Sequence, residues 1–220
     1  MTVLAITGLA KEAGIVGVAG VIAVAGGGDA DGLKAKLNAL HGDISGVISI
    51  GLAGALSPHL KVGDVVVAEK IMTGAEDWEC HAGWRNRLAS RLPHAHQGLL
   101  FGSDVIIEHS ETKSGLHDTT GALAVDMESQ VAARFAALRK VPLAGLRVIS
   151  DDASHVLPPA ALVAMKPDGG IAIGRVLGSL FRHPLQVPAL IRTARASNKA
   201  FAELLRCRDL CGVGIAGLDL

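Results

Sequence analysis

The chain has no tyrosine, and only four phenylalanines and two tryptophans. Proteins that stack bases on aromatic platforms need more than that. Charge of one sign is missing too, since 21 Lys+Arg balance 21 Asp+Glu. A dedicated nucleic-acid binder carries a basic excess, so no nucleic-acid partner is expected. Three cysteines (80, 207 and 211) are too few for a disulfide scaffold, and their odd number fits a reducing, cytoplasmic setting. Cys207 and Cys211 lack a second Cys or His pair at ligand spacing, so they read as plain thiols and no metal is expected. His94 and His96 flank Ala95 beside a proline and read as a solvated loop. The uncharged stretch Ala13–Gly28 is sixteen residues with six glycines, short of the roughly 20 apolar residues of a spanning helix. The N-terminus has no basic segment, so no signal peptide is expected.

Apolar residues make up 50% of the 220, glycines number 27 and charged residues are 19%. That composition excludes a disordered chain and suits one domain, residues 1–220, with a substantial core. Short β-branched runs alternate with helical patterns. Val3–Thr7, Val18–Ala25, Gly46–Ile50, Val62–Glu69, Ala122–Val125 and Leu143–Ile149 read as strands. Asp31–Leu40 and Met127–Leu138 read as helices. Near-continuous apolar strands joined by helices predict an α/β fold with a mainly parallel, twisted central sheet flanked by helices.

Ligands of open α/β sheets bind beyond the carboxyl ends of the strands. Three acids fall there. Glu12 follows the first strand, Glu128 follows Ala122–Val125, and Asp151 follows Val148-Ile149-Ser150. Three acids at one sheet edge can share a pocket. Asp126 and Asp152 read as helix caps or first-turn acids. Gly51-Leu52-Ala53-Gly54 follows a strand, where glycine either lets a ligand approach the backbone or makes a tight turn. The patterns of a dinucleotide-binding turn, a P-loop and a nucleophile elbow are absent.

Four segments in order carry a resemblance. They are Gly51-Leu52-Ala53-Gly54-Ala55-Leu56 with Leu60-Lys61-Val62-Gly63-Asp64-Val65-Val66-Val67, then Gly102-Ser103-Asp104, then Ala124-Val125-Asp126-Met127-Glu128-Ser129, then Arg147-Val148-Ile149-Ser150-Asp151. The chain resembles the nucleoside phosphorylase/nucleosidase superfamily, which includes purine and uridine phosphorylases and methylthioadenosine/S-adenosylhomocysteine nucleosidase. The Gly-Leu-Ala-Lys-Glu start and Leu157-Pro158-Pro159 look most like the hopanoid-associated phosphorylases, which are implied to release adenine from adenosylhopane.

The resemblance implies roles. Asp151 would give a proton or a hydrogen bond to purine N7, and so must hold a proton near neutral pH. Glu12 would activate water. Glu128 would accept from the ribose hydroxyls, Met127 would floor the ribose, and Gly54 would border the substrate. Ile106 and Ile107 either line the base pocket or fill ordinary core. Phosphorylases of the superfamily place Ser or Thr after the loop glycine and an Arg shortly before it. Leu52 and Ser49 stand there instead, which favours water as nucleophile and an apolar, lipid-linked nucleoside as substrate. Phosphate remains the alternative co-substrate, with backbone N–H groups of Gly26-Gly27-Gly28 as its cradle. No other cofactor is implied, and a homo-oligomer is.

The tail stands apart. From Arg175 to Arg208 there are seven Lys/Arg and one acid, Glu203. Leu190, Ala194, Phe201, Leu204 and Leu205 fall near one helical stripe. A basic amphipathic helix over about 175–208 is expected, either packed on the sheet with a solvated basic face or touching an anionic membrane surface.

Overall fold

A computed structural model describes residues 2–162, 166 and 168–217. Alternation along the strands builds two cores. In β1 (Val3–Thr7) Val3 and Ala5 point to one side and Leu4 and Ile6 to the other, all fully buried. Strand β2 (Val21–Ala25) follows helix α1 (Ala10–Val16), and helix α2 (Ala30–Asn38) leads to β3 (Gly46–Ala55). Then come β4 (Val65–Met72), β5 (Asp77–Glu79), α3 (Ala82–Arg91), β6 (His96–Gly102), α4 (Ser110–Thr120), β7 (Ala124–Asp126), α5 (Ser129–Arg139) and β8 (Leu143–Asp151). Helices α2 and α5 cover one face through Leu33, Leu37, Val131 and Phe135. Helix α3 and the C-terminal helix cover the other through Trp84, Leu88, Leu204, Cys207 and Cys211.

The sheet is mixed, which corrects the expectation of a mainly parallel one. Pairs β1–β2, β1–β3, β3–β8, β4–β6 and β6–β7 are parallel. Pairs β3–β7, β4–β8 and β4–β5 are antiparallel. Strands β3, β8, β4, β6 and β7 thereby close into a ring, so the ring's strands have no free edge. The physical reason is that burial on both faces makes strands apolar whichever way they run. Hydrophobicity reports burial, not direction.

The closure lengthens β3. Gly51 to Gly54 is no turn; it is the second half of a ten-residue strand, with a register shift between Ala53 and Gly54. Strands β5 and β6 carry no clean apolar signal, and His96 opens β6 instead of sitting in a loop.

Beyond β8 the chain forms α6 (Pro159–Leu162), α7 (Ile173–Arg182), a 3-10 turn at Pro184–Gln186, α8 (Val187–Cys211) and a last 3-10 turn at Val213–Ala216. The expected single helix of the tail is therefore broken. Pro184 lacks the N–H that would continue α7. Only the second half of α8 enters the core, through Ala200, Leu204, Cys207 and Cys211; Ala194 and Leu205 of the expected stripe face out. Burial pushes the Cys207 and Cys211 thiols up to about 12 and about 11, so both are inert core thiols. Among the described residues no cluster of three or more His, Cys, Asp or Glu is arranged to hold a metal. No described helix is long and apolar enough to cross a membrane.

Candidate active site

The three acids reach one place by three routes. Glu12 is the third residue of α1, where its Oε2 accepts from Leu9 N at 2.8 Å and Gly8 N at 2.7 Å. That is helix-capping geometry. Its other oxygen leaves the helix and accepts from Leu52 N of β3 at 3.0 Å. Glu128 sits at the N-terminal end of α5, where β7 stops. Asp151 ends β8 and lies in register with Gly54 of β3. A cavity of about 210 Å³ opens between them. Glu12, Glu128 and Asp151 all line it, with Met127, Gly54, Ile106, Ile107 and Leu52. Every site residue expected from the sequence is thus brought to this one hollow. No lysine or arginine is among the described residues that line it.

Two glycines make the convergence possible. A Cβ on Gly54 would lie 3.0 Å from Asp151 Oδ2, so glycine leaves room for the carboxyl. At Gly51, with φ +156°, a Cβ would fall 2.7 Å from Glu12 Oε2 and 2.9 Å from Arg147 Nη1. Any side chain there would displace both groups.

Beneath the acids lies Arg147, fully buried on β8. Its Nε is 3.0 Å from Asp126 Oδ2. Its Nη2 donates to Ser49 Oγ at 2.5 Å and Ser129 Oγ at 3.2 Å, and its Nη1 to Leu52 O at 3.4 Å. Asp126 also caps α5, accepting from Glu128 N at 2.8 Å and Ser129 N at 2.6 Å. This guanidinium ion-pairs with Asp126, and its charge also acts through space on Glu12 and Glu128. Burial raises Glu12 above the ordinary carboxylate range, against the pull of backbone N–H groups and of Arg147. Burial also pushes Glu128 up to about 7; Arg147 opposes this, and Asp126 and Glu12 add to it. A carboxyl poised near neutrality, as Glu128 is, suits proton transfer and charge stabilisation.

Asp151 has a partner the sequence did not suggest. Lys113, fully buried on α4, donates from Nζ to Asp151 Oδ2 at 2.5 Å, to Asp152 O at 3.2 Å and to His155 O at 3.3 Å. The sequence reading has this acid hold a proton near neutral pH through burial; a buried ammonium stands against it instead. The reason is distance in sequence: α4 packs its lysine against a loop 38 residues on. Lys113 lies in the polar run Ser-Glu-Thr-Lys-Ser and gives no signal. Arg147 does give one, being a charge inside an otherwise apolar strand, where burial demands a partner.

Asp152 caps no helix, which corrects its reading: it lies in the turn after β8 and accepts from Ser154 N at 3.1 Å and Ser154 Oγ at 2.7 Å. In the glycine turn expected as an anion cradle two N–H groups are already engaged: Gly26 N and Gly27 N donate to Thr7 O and Gly8 O, both at 2.8 Å.

Comparison with known proteins points the same way. The family model of the Phosphorylase superfamily matches residues 6–164. Among solved structures, the fold is similar to 5'-methylthioadenosine/S-adenosylhomocysteine nucleosidase from S. pneumoniae, solved with a transition-state inhibitor. The TM-score is 0.64 and the identity 18%, over 96% of this chain and 100% of that one. A putative methylthioadenosine nucleosidase from Weissella paramesenteroides gives a TM-score of 0.62 at 20% identity, over 95% of this chain and 99% of that one. A futalosine hydrolase mutant from Helicobacter pylori gives 0.56 at 18%, over 68% and 90%. With its family model spanning β1 to α6, the chain belongs to the phosphorylase superfamily of glycosidic-bond-cleaving enzymes.

Proposed function

We propose that the protein cleaves the N-glycosidic bond of an adenine nucleoside, adenosylhopane of hopanoid biosynthesis, by hydrolysis. The observation that carries the chemistry is the single cavity lined by Glu12, Glu128 and Asp151. As the C1'–N9 bond breaks, its electron pair goes to the purine and positive charge builds on the ribose. Asp151, a carboxylate paired with the Lys113 ammonium on its Oδ2, relays one of that ammonium's protons to N7, leaving a neutral amine that is recharged after product release. Glu128 accepts from the ribose hydroxyls, and its charge, when ionised, favours a cationic sugar. Glu12 takes the proton of the attacking water. Met127 floors the ribose.

Water is preferred to phosphate because Arg147 spends its donors on Ser49, Ser129 and Leu52 and no cation lines the cavity among the described residues. A lipid-linked nucleoside is supported by the apolar lining of Leu52, Ile106, Ile107 and Leu157 and by the exposed Val105 at its rim. The alternative substrates are methylthioadenosine and S-adenosylhomocysteine, favoured by the names of the similar structures. A non-catalytic nucleoside-binding protein is the remaining reading. The assembly implied is a homo-oligomer.

Chromatography of products after incubation with adenosylhopane, with and without phosphate, tests the proposal. Adenine release that needs no phosphate is expected, with Asp151→Asn slower by at least about 100-fold. Rapid release from methylthioadenosine and none from adenosylhopane would replace the substrate. Binding without turnover, or an unimpaired Asp151→Asn, would remove the mechanism.

A further inference from the structure

Helix α7 differs from every longer described helix: none of its ten residues is buried, and only Ala172, the N-cap before it, is. Ile173, Leu177 and Phe181 recur at every fourth position and so form one stripe. They are 67%, 60% and 91% exposed, and Leu185 in the following 3-10 turn extends the stripe at 94%. Single exposed apolar residues need no account, but a contiguous stripe does. The adjoining face, Val176, Ser179 and Leu180, is half-buried and seats the helix. The stripe is thus turned outward by the packing itself.

Charge says what covers it. From Gly169 to Ala202 there is no acidic residue, and Arg175, Arg182, Arg192, Arg195 and Lys199 supply five positive charges. The four arginines are exposed, and none forms an ion pair with another described residue. A two-fold contact between copies would lay this patch on itself, cation against cation. A surface of phosphate headgroups over hydrocarbon complements both features.

We propose that the stripe of Ile173, Leu177, Phe181 and Leu185, with Arg175 and Arg182 on the exposed flank beyond Gly174 and Gly178, docks on an anionic lipid bilayer. The apolar stripe enters the headgroup boundary while the arginines pair with lipid phosphates. The strap that carries this face is tied to the site at both ends. Leu157 before it and Ser197 after it line the cavity, and Gly169 O accepts from Ala10 N at 2.9 Å, where α1 begins. Docking therefore holds the cavity beside the lipid surface.

The test is co-sedimentation of the full chain with phosphatidylcholine vesicles, with or without about one-third phosphatidylglycerol. Binding to the anionic vesicles is expected, weakened by salt. Arg175→Glu/Arg182→Glu should weaken it by at least about 30-fold, taking roughly fivefold per lost cation near the surface. Phe181→Glu/Leu185→Glu should abolish it. These side chains lie outside the core, and circular dichroism would confirm that the variants fold. Equal binding to both vesicle types, or variants that bind like wild type, would overturn the proposal. So would a wild-type dimer in sedimentation velocity that Phe181→Glu/Leu185→Glu dissolves while vesicles are ignored. No readout uses a substrate, so the result is independent of the activity proposed above.

Discussion

Replacing Glu128 by glutamine should remove the pH dependence that this one buried acid imposes on stability. Burial pushes Glu128 from its ordinary 4.5 up to about 7. A raised folded-state value means that the fold prefers the neutral form. The stability Glu128 contributes is therefore complete below about pH 4.5 and lost as pH rises through about 7. The gap of about 2.5 pH units, at about 1.4 kcal/mol each, gives a loss on the order of 3 kcal/mol by pH 8. Glutamine keeps the shape and cannot ionise. The stability of Glu128→Gln relative to wild type should thus climb by about that amount between pH 5 and pH 8. Urea denaturation at four pH values, followed by fluorescence of the buried Trp84, measures it. Subtracting the two curves removes groups common to both. A difference that stays flat with pH, or falls, would refute the reasoning that burial holds Glu128 above the ordinary carboxylate range.

Two further outcomes follow from the same geometry. Lys113→Met strands the Asp151 carboxylate and releases the carbonyls of Asp152 and His155. It should cost about 3–5 kcal/mol of unfolding free energy. Adding Asp151→Asn should recover much of that loss, and a double-mutant cycle in urea would show the coupling. Gly51→Ala should lower turnover by at least about tenfold, since displacements near 1 Å can cost on the order of 100-fold. Its methyl group would collide with Glu12 Oε2 and Arg147 Nη1, so unchanged kinetics would mean that neither group needs its present position.

The chain's local chemistry determined a good deal by itself. Val3–Thr7 reads as a strand and is one, residue for residue, because four apolar residues and a β-branched threonine ended by a glycine leave few options. The acids at strand ends could be picked out as Glu12, Glu128 and Asp151, since charge next to an apolar run marks where a strand stops. The motifs around them resemble one superfamily, and its family model matches the chain. Tertiary structure alone decided the rest. The antiparallel pairings that close β3, β8, β4, β6 and β7 into a ring depend on contacts between distant strands, which composition does not encode. The Lys113–Asp151 pair joins residues 38 apart, and nothing in a polar helical run says which lysine will be buried. The outward stripe of α7 follows from which face its neighbours leave free. An amphipathic pattern specifies that a helix has two faces; only packing decides which one meets protein.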